Sequence, residues 1–228
     1  MVKPLRRRLH ENSLGLFFGA IFLLALAGQA FAGWHAFNSE QSADGLGTLT
    51  FARYLTSSDF AVDVAENWQS EYLQFLLYIT ATVWLVQRGS PESKELTKVG
   101  LESDKDQKVG RYADDASPKW AAAGGLRTGL FSWSLTLTMA AIFFASWLAQ
   151  SIAGLTAFNE TRLGRLQAPL SWSSYITNAD FWARTLQNWQ SEFLAVGSMV
   201  VLSIYLRQRG SPESKPVGES HESTGIEG

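Results

Sequence analysis

The chain contains no cysteine, and charged residues are missing from long stretches of it. The absence of thiols excludes a disulfide framework and every thiolate metal site. Three histidines, His10, His35 and His221, lie far apart and lack the spacing of metal ligands. Neither a glycine-rich phosphate loop nor a nucleophile elbow occurs. The sequence therefore predicts no metal, no cofactor and no enzymatic activity.

Charged residues make up 18% of the chain and concentrate in residues 1–11, 87–127 and 207–227. The first stretch that lacks them, residues 14–37, is long enough for a helix of ~36 Å at ~1.5 Å per residue. Backbone polar groups in lipid must be satisfied within the segment, so spans of this kind are expected to be helices. Together with aromatic residues at the interfaces, the pattern predicts four transmembrane helices, at about 14–37, 68–87, 130–158 and 189–207.

The strongest signal is an internal repeat. Residues 14–94 align without gaps to residues 135–215, with 31 of 81 positions identical. Each copy contains two predicted spans, an even number, so both copies should enter the membrane in the same orientation, as in parallel repeats. The predicted fold class is an all-α membrane protein of four transmembrane helices, built as two tandem parallel two-helix repeats.

The repeat also divides the chain into domains. Residues 1–94 form the N-terminal repeat, 95–128 a polar cytoplasmic linker, 129–215 the C-terminal repeat, and 216–228 a disordered tail. The outer loops contain residues 49–55 and 170–176, which resemble short interfacial helices.

The distribution of positive charge predicts the orientation of the spans. The two ends and the linker hold 15 of the 19 Lys and Arg residues, which places them in the cytoplasm of a multi-pass protein of the bacterial inner membrane. The first helix also resembles a cleavable signal peptide, but its copy in mid-chain favours a retained helix.

Polar residues on the predicted spans suggest a pseudosymmetric cluster near the outer leaflet. A glutamate inside the bilayer boundary is costly unless it faces protein, water or a partner. The functional interpretation is a cation or proton site, and the structural one is an interhelical hydrogen-bond clamp. The residues of this candidate cluster are Glu71, Glu192, Gln29, Gln150, Asn67 and Asn188.

A second candidate is the hexapeptide Gly-Ser-Pro-Glu-Ser-Lys, which occurs twice. Locally it predicts a glycine that ends one helix, followed by Ser, Pro and Glu that open another. A turn alone does not require the same six residues in both copies, so the alternative is that the hexapeptide is a turn that docks a partner. The candidate docking residues are Gly89, Ser90, Pro91 and Glu92 in the first copy, and Gly210, Ser211, Pro212 and Glu213 in the second.

Three motifs together resemble a known family. They are His-Glu-Asn-Ser-Leu at 10–14, Glu-Asn-Trp-Gln-Ser-Glu-Tyr-Leu-Gln at 66–74 and Gln-Arg-Gly-Ser-Pro-Glu-Ser-Lys at 87–94. This pattern is similar to small bacterial membrane proteins catalogued only as a domain of unknown function, over residues 10–215. The resemblance implies a helical membrane protein and transfers no activity. The second copy departs from the pattern at Gln187 and Ala195.

These features predict an integral membrane protein with a structural, accessory or partner-binding role. The alternative is a small ion or proton pathway that uses Glu71 and Glu192 between the repeats. The expected partners are the lipid bilayer and either another protein or further copies of the chain. A formal net charge of −2 gives no reason to expect nucleic acid.

Overall fold

A computed structural model describes residues 5–226 of the chain, and this part consists of helices joined by turns, without strands. The N-terminal residues 1–4 and the tail residues 227–228, which the sequence assigned to the first repeat and to a disordered tail, lie outside the described residues. The nine α-helices of the described part are α1 (Leu5–Glu11), α2 (Ser13–Ala43), α3 (Phe51–Tyr54), α4 (Ser58–Ala81), α5 (Lys119–Ala122), α6 (Gly125–Ser132), α7 (Ser134–Gly164), α8 (Trp172–Tyr175) and α9 (Ala179–Tyr205).

Corresponding helices begin at corresponding positions of the two copied segments. The first residues of α2 and α7, of α3 and α8, and of α4 and α9 are each separated by 121 positions, the offset of the sequence alignment. The four-residue helices α3 and α8 lie within the two loop segments for which short helices were predicted. Each copied segment therefore contains a long helix, a four-residue helix and a second long helix.

Side chains at the helix ends explain why α4 and α9 start where they do. The Ser57 side chain accepts a hydrogen bond from the Phe60 amide, and the Asn178 side chain accepts one from the Asp180 amide. Each of these caps satisfies a backbone donor that lacks a partner in the first helical turn. Asp59 and Asp180 lie in those first turns, where a negative charge interacts favourably with the helix dipole.

Two of the described helices, α2 and α7, are long and apolar enough to cross a membrane. Their most apolar stretches have mean hydropathies of 2.1 and 1.5. Only 6% of the α2 stretch and 22% of the α7 stretch is buried inside the chain, so most of this apolar surface faces outward. Apolar surface on this scale is unusual for a protein surrounded by water.

The main contact of the fold joins the two copied segments. Helix α4 of the first segment packs along α7 of the second, and α4 also packs against α9 over a shorter stretch. The Ser58 side chain, at the start of α4, contacts the Glu160 carboxylate near the end of α7, so the two helices run in opposite directions. The first segment is thereby fixed to the second by its own second long helix.

The linker is more structured than the sequence predicted. Residues 110–112 form a 3₁₀ turn, and α5 and α6 follow before α7 begins. The predicted third span, 130–158, starts inside α6, which is separated from α7 by Trp133 with φ −110° and ψ 7°. The observed helix instead covers Ser134–Gly164. The run of uncharged residues does not reveal the break between α6 and α7, because Trp133 is apolar and continues the run.

The loops that contain α3 and α8 are attached to the long helices by contacts that occur in both segments. The Asn38 side chain donates to and accepts from the backbone of Leu49, and Asn159 forms the same pair of bonds with Leu170. The Tyr175 hydroxyl lies against Gly154 on α7, where an added Cβ atom would be 2.6 Å from it. The loops are therefore held by residues that the two copies share.

We predict that Gly154→Ala destabilises the protein by about 1–3 kcal/mol, as for overpacked sites. The new methyl group would collide with Tyr175, which is only 1% exposed and has little room to move. The measurement is thermal unfolding of the detergent-solubilised protein, followed by circular dichroism.

Gly28→Ala is the matched control for this substitution. Gly28 has open space around its missing Cβ, and the second copy carries alanine at the corresponding position 149. Alanine is a better helix former than glycine by up to ~1 kcal/mol, so this variant should be as stable as the parent or more so. Equal loss of stability in the two variants would contradict the proposed role of Tyr175.

Candidate functional site

The predicted polar cluster is only partly assembled. Gln150 is buried between helices, and its Nε2 donates to the Thr185 hydroxyl over 3.3 Å. A second buried amide, Gln69, was not among the predicted residues, and its Oε1 accepts from the Trp189 indole over 2.8 Å. These two glutamines place polar contacts between α7 and α9 and between α4 and α9.

Both glutamines also have one polar atom without a partner. Within the described residues, Nε2 of Gln69 and Oε1 of Gln150 are buried and form no hydrogen bond. Each buried unsatisfied group of this kind costs about 1–3 kcal/mol. Amide side chains do not titrate, so they cannot carry protons, and their bonds specify which helices meet. The buried part of the cluster therefore has the chemistry of a clamp.

Of the other predicted residues, Glu192 on α9 interacts with the Ser70 side chain and with the Glu71 carboxylate of α4. Glu71 is exposed and Glu192 is half-buried. Asn67 and Asn188 donate to backbone carbonyls one turn back on their own helices, over 2.8 Å and 3.2 Å. Gln29 lies half-buried on α2. The two asparagines are thus used within single helices and do not join the two segments.

A charged cluster at the start of α9 was missed by the sequence analysis. The Arg184 guanidinium lies 3.2 Å from the Glu66 carboxylate, 3.9 Å from that of Asp63 and 3.8 Å from that of Asp180. Positions 63 and 184 correspond to each other in the alignment and carry opposite charges. The opposite charges at these two aligned positions were the sequence signal that could have predicted the contact. A search for identical residues in the two copies misses it, because the contact is made by different residues.

Burial is the largest influence on the pKa of Glu66, Asp63 and Arg184. It raises the pKa of Glu66, although the neighbouring Arg184 acts in the opposite direction. Burial raises the pKa of Asp63 in the same way. Burial lowers the pKa of Arg184, but the three carboxylates outweigh it and leave that pKa raised. Arg184 therefore opposes the effect of burial on the pKa of both carboxyl groups.

Metal binding has no evident location in the described part of the chain. Among residues 5–226, no three or more histidine or acidic side chains come together in a way that could hold an ion. The three carboxylates near the start of α9 are arranged around the Arg184 guanidinium. Their geometry suits an interaction between helices.

The duplicated hexapeptides form two turns with the same internal structure. We call residues 87–94 the first turn and residues 208–215 the second turn. In each turn, the backbone amide of the glutamine residue donates to the hydroxyl of the second serine over 2.9 Å. The backbone amide of the glutamate residue donates to the hydroxyl of the first serine over 3.2 Å. The shared sequence therefore specifies a shared conformation.

The prediction that these residues end one helix and open another is wrong. Helix α4 ends at Ala81 and α9 at Tyr205, several residues before the glycines, and no helix begins at either proline. Gly89 and Gly210 adopt positive φ angles of 85° and 79°, which favour glycine. The serine hydroxyls bind amides inside the turn, and the chain leaves it without forming a helix.

The two turns differ in what covers them. In the first turn Gly89, Ser90 and Pro91 are buried, whereas in the second turn Gly210, Pro212 and Glu213 are exposed. Residues 220–225 of the tail cover the first turn. The Gly89 amide donates to the Thr224 hydroxyl over 2.9 Å, and the Gly225 amide donates to the Ser90 carbonyl over 3.1 Å. Among residues 5–226, nothing covers the same backbone groups of the second turn in this way.

The Lys215 ammonium joins the tail to the first turn by hydrogen bonds. It is buried and donates to the backbone carbonyls of Gly89, Ser220, His221 and Ser223 over 2.6–3.2 Å. Residues 220–225 of the tail therefore lie against the first turn. Lysine in the corresponding position 94 donates to the carbonyl of Gly100 and pairs with Glu102.

We predict that Arg184→Ala destabilises the protein by about 1–3 kcal/mol, because it leaves the partly buried Glu66 without its cation. Glu66→Gln should cost less, since an amide avoids the cost of burying a charge. The double variant Arg184→Ala/Glu66→Gln should recover part of the loss, as expected for residues in contact. Thermal unfolding in detergent measures all three, and strictly additive losses would contradict the interaction.

The pH dependence of stability follows from the same residues. Because the pKa of Glu66 is raised on folding, the folded state holds this proton more tightly than the unfolded state does. The resulting stabilisation is present below the ordinary carboxyl pKa and is lost as the pH rises through the raised folded value. Glu66→Gln should weaken this dependence, which unfolding measurements at a series of pH values would detect.

Comparison with known proteins places the chain in a family without an assigned activity. Residues 5–226 match the family described as "Domain of unknown function (DUF6766)". No curated protein and no solved structure matches the chain. The match confirms the resemblance to an uncharacterised family and covers nearly the whole sequence. The chain therefore belongs to the DUF6766 family of unknown function.

Proposed function

We propose that the protein is a multi-pass membrane protein whose four long helices cross the bilayer as two tandem parallel repeats. The exposed apolar surface of α2 and α7 supports two of these spans. The second halves of α4 and α9 supply the other two, and α9 exposes the apolar residues Leu194, Val201 and Leu202. The Lys and Arg distribution favours a cytoplasmic location in a bacterial cell for the linker and both ends of the sequence.

Single cysteines test this topology, since the parent chain has none. We predict that cysteines at Ser42 and Leu166 react with a membrane-impermeant maleimide added to intact cells or spheroplasts. Cysteines at Lys105 and Glu222 should react only after the membrane is opened. If α2 and α7 were the only spans, Lys105 would lie on the same side as Ser42, so labelling of Lys105 from outside would refute four spans.

We propose that the protein binds a polypeptide partner through the second turn. The observation that carries this proposal is the difference between two turns of one sequence and one internal structure. The first turn is covered by residues 220–225 of the same chain, whereas Gly210, Pro212 and Glu213 are exposed. A preformed turn that binds an extended segment in one copy offers the same backbone groups in the other.

The contacts of the first turn define the chemistry of such a partner. The glycine amide there binds a hydroxyl oxygen, the glycine carbonyl accepts from an ammonium group, and the first serine carbonyl accepts from a backbone amide. The ammonium belongs to Lys215 of the second turn, so the extended segment itself supplies the hydroxyl and the backbone amide. The partner of the second turn would therefore be an extended segment with a serine or threonine. Bonds to backbone groups of this kind are typical of extended-peptide recognition.

We predict that a photo-crosslinking amino acid in place of Glu213 attaches to a second polypeptide in membranes that contain the protein. The same amino acid in place of Glu92 should attach to the chain's own tail or to nothing, because the first turn is covered. Mass spectrometry of the adducts identifies the attached segment. Ser214→Ala removes the bond from the Gln208 amide, and it should lower the yield at position 213 several-fold.

Adducts with lipid alone at position 213, or equal polypeptide adducts at the two positions, would contradict docking at the second turn. Ser93→Ala, the matched change in the first turn, removes the corresponding bond from the Gln87 amide. It should leave the adduct at position 213 unchanged. A loss caused by both serine variants would indicate general misfolding.

The alternative of an ion or proton pathway through Glu71 and Glu192 has less support. The buried contact between the segments contains neutral amides, and Glu71 is exposed. Asn67 and Asn188 are bonded within their own helices and supply no shared site. A partner-binding role requires none of these residues to titrate.

A further inference from the structure

We propose that α9 of one copy of this chain packs along α2 of a second copy, through the counterparts of the residues that join α4 to α7. This inference rests on the proposed four-span topology and adds a specific interface to it. It starts from the alignment, in which α4 corresponds to α9 and α7 corresponds to α2. The contact between α4 and α7 therefore has a counterpart between α9 and α2.

The side chains of the existing contact are repeated on the other two helices. Ten residues of α4 and α7 are buried, and six of them are identical at the corresponding positions of α9 and α2. We name these counterparts the α9 face and the α2 face. The buried residues are Val62, Ala65, Gln69, Ser70 and Leu73 on α4, and Phe143, Ser146, Gln150, Ser151 and Gly154 on α7. The α9 face consists of Ala183, Leu186, Gln190, Ser191 and Leu194, and the α2 face of Phe22, Ala25, Gln29, Ala30 and Gly33.

The counterparts on α9 are uncovered, and those on α2 are partly covered. All five residues of the α9 face are exposed, with Leu186 at 50% and Leu194 at 65%. On the α2 face, Phe22 is 46% exposed, Ala25 is exposed and Gln29 is half-buried, whereas Ala30 is buried and Gly33 lies against the Tyr54 hydroxyl. Within the described residues, α2 and α9 do not pack along each other as α4 and α7 do. The α9 face and the part of the α2 face around Ala25 and Gln29 therefore lack the helix contact that α4 and α7 have.

The polar members of the two faces argue against lipid as their final cover. Gln190 and Ser191 on the α9 face and Gln29 on the α2 face repeat Gln69, Ser70 and Gln150, which are buried on α4 and α7. A glutamine that faces hydrocarbon lacks hydrogen-bond partners, whereas polar side chains between helices bond across the contact. These residues suit another helix.

The α2 helix of the same chain is held in another place. Phe22 contacts Trp68 of α4 with ring centroids 6.4 Å apart. The two bonds between Asn38 and Leu49 hold the end of α2 against its own outer loop. In a second copy the same contacts leave Ala25 exposed and Gln29 half-buried, so α9 of the first copy can approach α2 there without displacing them. Two copies related by a two-fold axis would use both faces of each chain and close the assembly as a dimer.

The orientation of the spans fits this assembly. Helices α4 and α7 are antiparallel, and the four-span topology makes α2 and α9 antiparallel as well. A second copy inserted in the same orientation therefore presents α2 to α9 in the direction that the existing contact requires. The contact between Ser58 and Glu160 marks the register. Its counterparts in the alignment are Ala179 on α9 and Ser39 on α2.

The test uses the absence of native cysteine. Two copies with different epitope tags, one carrying Ser39→Cys and the other Ala179→Cys, are expressed together. A short bifunctional maleimide is then added to the isolated membranes. We expect a product of twice the chain mass that carries both tags. Ser58→Cys/Glu160→Cys in one chain is the positive control, and it should give a product of single-chain mass.

Three outcomes would overturn the interface. One is failure of the mixed pair while the positive control crosslinks. Another is a Ser39→Cys/Ala179→Cys double variant that crosslinks only within one chain, which would show that α2 and α9 meet inside a copy. The last is a mixed product that persists unchanged with Leu194→Ala and Gln190→Ala present together, since these changes remove side chains of the α9 face and should lower the yield several-fold.

Failure of the interface can be distinguished from failure of the proposed topology. Membranes washed with alkaline carbonate retain an integral membrane protein whether or not two copies meet. Retention with a crosslinked control and no mixed product overturns only the interface. Release of the chain by the wash would refute the membrane assignment itself.

Discussion

The contact between α4 and α7 determines the architecture, because it is the place where the two halves of the chain are joined. The two helices bury apolar side chains together with two glutamines and three serines. In a membrane the attraction between helices comes from close packing and polar bonds more than from the exclusion of water. A contact that mixes small, apolar and amide side chains suits that environment, and it makes the pairing of helices specific.

Near the start of α9, chemical difference between the copies is as important as similarity. Asp63 and Arg184 occupy corresponding positions, and their charged groups lie 3.9 Å apart. Identical residues at two such positions would bring like charges together. Opposite charges at the two positions turn this repulsion into attraction, and Glu66 strengthens it at 3.2 Å from the arginine. Positions that face only their own segment, such as Asn38 and Asn159, keep the same residue.

The sequence was informative where identity between the copies reflects local structure. It predicted helices at α2 and α7 and short helices near 49–55 and 170–176. It missed Arg184 with its three carboxylates, because periodicity within a helix does not reveal which helices meet. It also missed the cover on the first turn, since Thr224 and Gly89 are far apart in sequence and show no pattern that links them. The grouping of Asn67 and Asn188 with Gln150 failed because an asparagine can bond to its own helix backbone.

The covered first turn has a consequence for how the chain is made. Gly89 and Ser90 leave the ribosome long before Lys215, Thr224 and Gly225, the residues that bind them. Throughout that interval the nascent chain presents an open turn, and for the last part of it two open turns of the same shape. Once the second turn has been made, a factor that recognises this shape finds two open turns on the unfinished chain and one on the finished chain. The number of open turns therefore distinguishes the two.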